Sequence, residues 1–306
     1  MTAERRPLLV QSNIIIDDIW LADGTRFPAT LGGAATYAAA GAALWYSPVA
    51  MVAGVGTDLD DVSDNKLRDF GFLSDGHLVR GRHTIQSRLV YRDDGTRTET
   101  PTHGRDYFAS LQVTPADTPP SLLPAAGTYV FRDLEPPFWA AIRSRQSAFG
   151  TVLWELQDDA AYAHLWPDVK EILSLVDHFS LNRAEADRLF DHADPDEVID
   201  RILDSGVETV LLRMGGEGAL IASSNARLKA TPPPSPVVDV TGGGNSFCGG
   251  YLGAWLSSGG DIEQAARGAA AAAAHSLGQY GPGDPRERDK AIAWARQTKL
   301  TEWKKP

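Results

Sequence analysis

The chain has 306 residues and a formal net charge of −11 at neutral pH. That length makes one large α/β unit or two small ones with ample core, and the acidic balance excludes sequence-blind nucleic-acid binding, which needs a cationic face. Cys248 is the one cysteine, so no intrachain disulfide forms, and a reducing, cytoplasmic compartment is expected; without an apolar run of about 18 residues or a secretory-type start, neither a membrane span nor a leader is expected.

Leu8-Leu9-Val10 opens a strand expected to run through Ile14-Ile15-Ile16 and to end at Asp17 and Asp18. Acids at strand ends commonly face water, so either one alone carries little. Gly32-Gly33 precedes a small-residue helix from Ala34 to Leu44. Tyr37 on that helix either stacks on a bound ring or packs in the core. Ala50-Met51-Val52 reads as the next strand, ending in Gly54-Val55-Gly56-Thr57-Asp58. Arg82 to Glu99 alternates around Asp93-Asp94-Gly95, a hairpin turn signal. Arg88, Arg92 and Arg97 on it suit either an acidic substrate or a solvated face.

Beyond Pro119-Pro120 the pattern becomes strand–helix alternation. Thr128 to Phe131, Thr151 to Trp154, His178 to Leu181 and Thr209 to Leu212 are short apolar strands, each followed by a helical or turn segment. That predicts a parallel sheet covered on both faces. Asn182 and Glu185 have the spacing of a helix cap and its capping-box partner. Arg213 closes the fourth of these strands, just before Met214-Gly215-Gly216-Glu217-Gly218. Strand C-terminal ends face the ligand crevice in such sheets. Arg213 therefore either holds a phosphate in bidentate fashion or pairs on the surface with Glu217 or Glu208.

Pro232-Pro233-Pro234 then breaks the chain before Asp239-Val240-Thr241-Gly242-Gly243-Gly244-Asn245-Ser246-Phe247. Phe247, Tyr251 and Trp255 recur at helical spacing after the glycines. A glycine turn feeding a helix start lets several N–H groups converge where the helix dipole is positive, a ready anion site. The alternative is a plain turn with an Asn cap. Gly249, Gly250, Gly253 and Ala254 suit close approach to the alanine-rich helix from Ala265 to Ala274. Cys248 is expected to pack as a small apolar group. His275 at that helix's end either lines a pocket or is structural. No Gly-Lys-Ser/Thr occurs, and both glycine clusters lack the third glycine of a dinucleotide fingerprint, with Phe247 and Leu59 in its place. That weighs against a nicotinamide oxidoreductase. No zinc-type spacing of His or Cys is present.

Five places stand in a telling order: the strand ending in Asp17, Gly32-Gly33, Val55-Gly56-Thr57-Asp58, Asn182-Arg183-Ala184-Glu185, and Thr241 to Phe247 with its alanine-rich successor. In that order the chain resembles the PfkB (ribokinase-like) family of small-molecule kinases over nearly its full length. The resemblance implies an α/β, ribokinase-like three-layer sandwich with a mainly parallel sheet and a small β-lid. One domain would span 1–306, with lid insertions at 18–31 and 82–103. The implied activity is ATP-dependent phosphorylation of a hydroxyl on a sugar, polyol or nucleoside-like molecule. ATP and Mg2+ would be the cofactors, with a monovalent cation in many relatives and a homodimer through the lid.

Residue by residue, the resemblance assigns Gly242, Gly243 and Gly244 to the transferring phosphate. Asn182 and Glu185 go to the magnesium–phosphate site, Glu185 through metal-bound water. Arg213, Gly215, Gly218 and Thr241 would line the nucleotide. Asp17, Gly32 and Gly33 would receive the acceptor, and Asp239 would lie near the monovalent cation.

Two departures matter. The family motif reads Gly-Ala-Gly-Asp, and Asn245 stands where that Asp takes the hydroxyl proton. An amide orients a hydroxyl but does not accept its proton. General-base help is worth about 10²–10⁴-fold, whereas phosphoryl transfer depends mostly on positioning and charge stabilisation. A slow kinase and a pseudokinase that senses nucleotide are both open on this ground. In the first case Asn245→Asp is expected to raise turnover, and Arg213 is a candidate to offset the altered charge. The second departure is Ala34-Ala35-Thr36-Tyr37, where ribokinase continues Lys-Gly-Ala-Asn, so ribose specificity is not implied.

Overall fold

A computed structural model describes residues 5–94 and 96–303. Gly95 of the expected hairpin turn, and the first four residues of the start read for a leader, lie outside the described residues. The strands are β1 (Leu8–Gln11), β2 (Ile15–Trp20), β3 (Arg26–Gly32), β4 (Val49–Gly56), β5 (His77–Gly81), β6 (Gln86–Tyr91), β7 (Arg97–Pro101), β8 (Gly127–Arg132), β9 (Thr151–Leu156), β10 (His178–Asn182), β11 (Thr209–Arg213), β12 (Ala219–Ser223), β13 (Arg227–Thr231) and β14 (Lys299–Glu302).

Ten of them form one sheet in the order β14-β13-β12-β11-β10-β9-β8-β1-β4-β5. It is parallel from β5 to β11. β12, β13 and β14 add an antiparallel edge, which the strand–helix alternation did not predict. The apolar runs of β1 and β4 are buried along their whole length, as strands covered on both faces require. Alternation sends Leu9, Val52, Val130, Trp154 and Phe179 into one core. Their neighbours Leu8, Val10, Met51, Tyr129 and Leu153 enter the other. The first core takes in Phe138, Val169, Ala186 and Val198 of four helices, and the second Ala38, Tyr251 and Ala266 of three. The fold is α/β with a large, mainly parallel central sheet between two helical layers.

The second core has helices that nearly touch. A Cβ on Gly249 would stand 2.0 Å from the Ala38 carbonyl oxygen, and one on Gly253 2.5 Å from that of Ala42. This anchors helix Gly243–Ser258 against Ala34–Ala43, with Ile262–Leu277 on its other side.

The first strand is shorter than its sequence suggests. It ends at Gln11, and Ile15 starts β2 in a separate sheet ordered β3-β2-β6-β7. The chain turns because the Asn13 carbonyl accepts the Ala35 N–H at 3.1 Å, at the opening of helix Ala34–Ala43. Asp17 therefore sits inside β2, not at a strand end. Asp18 points to the opposite face of that sheet, where it binds Trp20, Arg26 and Arg88.

Candidate active site

Gly242 caps helix Gly243–Ser258 in the left-handed region at φ 69°. The Tyr37 ring lies 2.2 Å from where a Cβ on Gly242 would stand, so both backbone and space demand glycine. Tyr37 is thus a packing residue, buried against the turn. The Ser246 N–H reaches the Gly242 carbonyl at 2.8 Å, and the Gly243 N–H makes a long 3.4 Å bond to Val240. The Gly244 and Asn245 N–H groups have no protein acceptor among the described residues. Open amides at a helix start are the donor set an anion needs.

Directly beneath this turn lies a buried polar network that crosses three strands. Glu155 of β9 is 2% exposed. The Tyr129 hydroxyl of β8 donates to its Oε2 at 2.7 Å, and the Arg213 Nη1 of β11 meets its Oε1 at 2.8 Å. Asn245 Nδ2 donates to the Tyr129 hydroxyl oxygen at 3.0 Å and to Glu155 Oε2 at 3.2 Å. Arg213 also approaches Glu185 at 3.5 Å. Burial and the nearby Glu155 charge push the Tyr129 phenol and the Cys248 thiol well up. For Arg213, burial works against the charged form, but Glu155 and then Glu185 outweigh it and hold the guanidinium ionised.

Arg213 is accordingly not the surface residue paired with Glu217 or Glu208. Its Nη1 would stand 1.8 Å from a Cβ on Gly244, so the guanidinium fills the space under the first helical turn. Its Nη1 is held by Glu155 and its Nη2 stands 3.5 Å from Glu185, while Nε and Nη2 have no hydrogen-bond partner among the described residues. Gly215 and Gly218 form the tight turn from β11 to β12, where a Cβ on Gly218 would stand 1.9 Å from the Ala230 carbonyl oxygen.

Asn182 ends β10 and caps helix Arg183–Leu189 in a complete capping box. The Glu185 N–H donates to Asn182 Oδ1 at 2.9 Å, while Asn182 N–H and Nδ2 donate to the two Glu185 oxygens, each at 2.6 Å. Burial raises the Glu185 pKa, opposed by Arg213 and the Asn182 N–H.

Asp17 faces inward from the small sheet and is 5% exposed. Its Oδ2 comes within 2.0 Å of where a Cβ on Gly32 would stand, so only glycine leaves room. Gly33 adopts φ 80°, and its Cβ would meet the Asn13 carbonyl at 2.4 Å. Burial first, then Glu99 and Asp239, push Asp17 up to about 7, against the pull of Arg97. The small sheet docks onto the start of the glycine motif. The Tyr91 hydroxyl donates to Asp239 Oδ1 at 2.9 Å and lies 3.0 Å from Thr241 Oγ1, which Arg97 also contacts. Thr241 binds Asp239 Oδ1 through both its N–H and its hydroxyl, while the buried Asp239 Oδ2 has no partner among the described residues. Arg88 and Arg92 instead bind Asp18 and Thr96 on the exposed side. His275 is buried against Trp294, with Nε2 2.8 Å from the Asp284 carbonyl oxygen. Cys248 is buried with Sγ 3.2 Å from Ser180 Oγ.

The structure thus brings Asn245, Arg213 and Glu185 into one network, and Asp17, Asp239 and Thr241 together under the small sheet. Sequence reasoning missed Glu155, Tyr129 and Tyr91. One signal was available for Glu155, a lone acid inside the apolar run Thr151–Leu156. Nothing local marks Tyr129 or Tyr91, whose partners lie far along the chain.

The family model described as pfkB family carbohydrate kinase matches residues 20–289. An uncharacterized sugar kinase of Archaeoglobus fulgidus is 34% identical over 124 residues, covering 40% of this chain and 49% of that protein. The chain therefore spans about half of that relative's length. A cytidine kinase of Thermococcus kodakarensis is 26% identical over 85% of this chain and 92% of its own. Among solved structures, a probable sugar kinase of Rhizobium etli superposes with TM-score 0.77 at 21% identity, covering 95% of this chain and 99% of its own. A putative ribokinase II of Escherichia coli, solved with ATP and Mg2+, superposes with TM-score 0.73 at 17% identity, over 95% and 99%. Those two share the fold.

Proposed function

Since the chain belongs to the pfkB family of carbohydrate kinases, we propose that it transfers the terminal phosphoryl group of ATP to a hydroxyl of a sugar, polyol or nucleoside-like molecule. The observation that carries this reading is the pair of acceptor-free amides at Gly244 and Asn245, at the start of helix Gly243–Ser258. They meet the charge that builds on the phosphoryl oxygens as the acceptor oxygen–phosphorus bond forms and the bond to ADP breaks. Asp17 accepts a neighbouring acceptor hydroxyl, and Gly32 and Gly33 let the acceptor reach the backbone. Asn245 orients the attacking hydroxyl through its carboxamide oxygen. The hydroxyl proton leaves to the phosphoryl oxygens or to water, because a carboxamide does not hold it.

The donor set fits magnesium only through water. No cluster of three or more His, Cys, Asp or Glu suited to a metal occurs among the described residues. Glu185 keeps carboxylate lone pairs beyond those used by Asn182, and Mg2+ readily retains its waters and binds substrate phosphates. Glu185 would hold a metal-bound water and Asn182 would hold Glu185 in place. The bound ion would supply charge neutralisation across the phosphates. The unpartnered Asp239 Oδ2 suits a monovalent cation. The small sheet acts as the lid that excludes water. The kinases among the relatives lend no support to a nucleotide sensor without turnover.

Two measurements test the reading. Mg·ATP is expected to raise the thermal midpoint, and Gly243→Val, whose branched side chain would press on Leu277 and displace the helix start, is expected to remove that shift. ADP release should then appear with one member of a polyol, sugar and nucleoside panel. Failure of every acceptor, together with no Mg·ATP shift, overturns the proposal.

A further inference from the structure

We propose that Glu155 is a positioning residue that fixes which end of the Asn245 carboxamide faces the acceptor, and that its buried charge makes aspartate at position 245 incompatible with this site. The inference rests on the reading above that Asn245 meets the acceptor hydroxyl.

Donors and acceptors around Glu155 leave one orientation open. An ionised carboxylate can only accept. Arg213 Nη1 supplies one Glu155 oxygen, and the single Tyr129 proton is spent on the other. The Tyr129 oxygen and Glu155 Oε2 therefore both present lone pairs to Asn245, at 3.0 and 3.2 Å. Only the NH2 end of a carboxamide satisfies two acceptors at once. Asn245 Oδ1 is thereby turned away from the buried pair. It has no partner among the described residues, yet it is not among their sealed, unpartnered atoms. It is the free acceptor that a substrate hydroxyl would meet.

The same geometry explains the residue type. An aspartate at position 245 would put a second carboxylate oxygen about 3.2 Å from Glu155 Oε2. Like charges that close cannot both stay ionised. The cation at this site, Arg213, already faces two carboxylates, Glu155 at 2.8 Å and Glu185 at 3.5 Å, so a third would leave the cluster with an excess of negative charge. The remaining polar groups against Glu155 are the Tyr129 hydroxyl and the Cys248 thiol, whose pKa values are both raised. The sequence-based expectation that Asn245→Asp raises turnover does not survive this arrangement.

A double-mutant cycle decides it. In Glu155→Gln, Arg213 retains the amide oxygen and the new NH2 faces Asn245, which reverses the carboxamide. In Asn245→Asp, two carboxylates share the site and one must take up a proton at a cost. In the double variant, the NH2 introduced at position 155 donates to one oxygen of the carboxylate introduced at position 245, and the other oxygen faces the acceptor. Each single variant is expected to lose about tenfold or more in kcat, with KM for Mg·ATP held within about twofold, and the double to recover to near the wild type. A role confined to folding would not split kcat from KM in this way, nor be rescued by a second change. Thermal midpoints of all four proteins run the same cycle without substrate: Asn245→Asp should fall and the double should recover. Additive effects in either readout, or singles with wild-type kcat, overturn the proposal. Absence of turnover in all four would instead sink the kinase reading, and the thermal cycle would still decide whether Glu155 and position 245 are coupled.

Discussion

Burying a carboxylate among other carboxylates is unfavourable, and Asp17 is held in that condition where the small sheet meets the glycine motif. Its pKa of about 7 stands above the ordinary 3.8, through burial and then Glu99 and Asp239. Between those values the folded chain keeps the proton and the unfolded chain does not. The stabilising share of this group is thus complete below pH ~4 and is lost as pH rises through ~7. Asp17→Asn is expected to flatten that fall and to be more stable than wild type at pH 8 by about 1–3 kcal/mol, while weakening acceptor binding. Urea unfolding at pH 5 and 8 checks it, and an unchanged pH slope would refute it. Gly242 offers a second test at this scale. Gly242→Ala meets both a left-handed backbone and the Tyr37 ring, and should cost about 2–4 kcal/mol. Gly243→Ala meets only the flexible Leu277 Cδ2 at 2.8 Å and should cost within about 1 kcal/mol. Equal losses would place the strain elsewhere. The residues legible in the sequence were those whose spacing is local, such as the Asn182–Glu185 capping box. Glu155 and Tyr129 join Asn245 only because three strands and a helix converge, and no short window contains that fact.

At the scale of elements, the small sheet and helix Gly243–Ser258 meet through few but specific contacts. Tyr91 and Arg97 hold Asp239 and Thr241 just ahead of the helix. A hydroxyl that serves three partners, Asp239, Thr241 and Arg97, is worth about 1–3 kcal/mol here. Tyr91→Phe is expected to loosen the lid and raise ATP hydrolysis without acceptor, by up to about tenfold. ADP release measured with and without acceptor checks it, and an unchanged leak would mean the lid does not control water. Helix contacts in the second core leave less latitude. Gly249→Ala would drive a methyl group into the Ala38 carbonyl, with an expected loss of about 2–4 kcal/mol by chemical denaturation. Sequence reading placed Gly249, Gly250, Gly253 and Ala254 against the alanine-rich helix. Only Gly250 and Ala254 face it, at Ala272 and Gly268, whereas Gly249 and Gly253 pack on Ala38 and Ala42, a partner that spacing within one helix does not reveal. The hairpin strands β6 and β7 were readable from alternation. The break between β1 and β2 falls at the polar Gln11-Ser12-Asn13, which the sequence reading bridged because apolar residues resume at Ile14; the turn itself is made by the distant Ala35 N–H. The antiparallel edge was hidden for a similar reason: β14 closes it from the far end of the chain.

For the whole molecule, strand–helix alternation was enough to predict a mainly parallel sheet, and Asn182, Arg213 and Glu155 all lie near strand C-terminal ends, where the proposed crevice would open. What alternation cannot give is the field in which that crevice operates. The chain carries a net charge of −11, and a nucleotide remains anionic with its metal. On the proposed reading the open amides attract the phosphates at short range, while the bulk of the surface repels them at long range. The two differ in how salt acts. Screening shortens the reach of surface charge from about 30 Å at 0.01 M salt to about 8 Å at 0.15 M, whereas contacts inside a closed site are screened much less. Raising salt across that interval is therefore expected to lower KM for Mg·ATP by about two- to fivefold. KM for an uncharged polyol acceptor should stay constant. Steady-state kinetics with the two substrates varied in turn give both numbers. A KM for Mg·ATP that climbs with salt would show that the attraction of the helix start reaches beyond the crevice and outweighs the acidic surface around it.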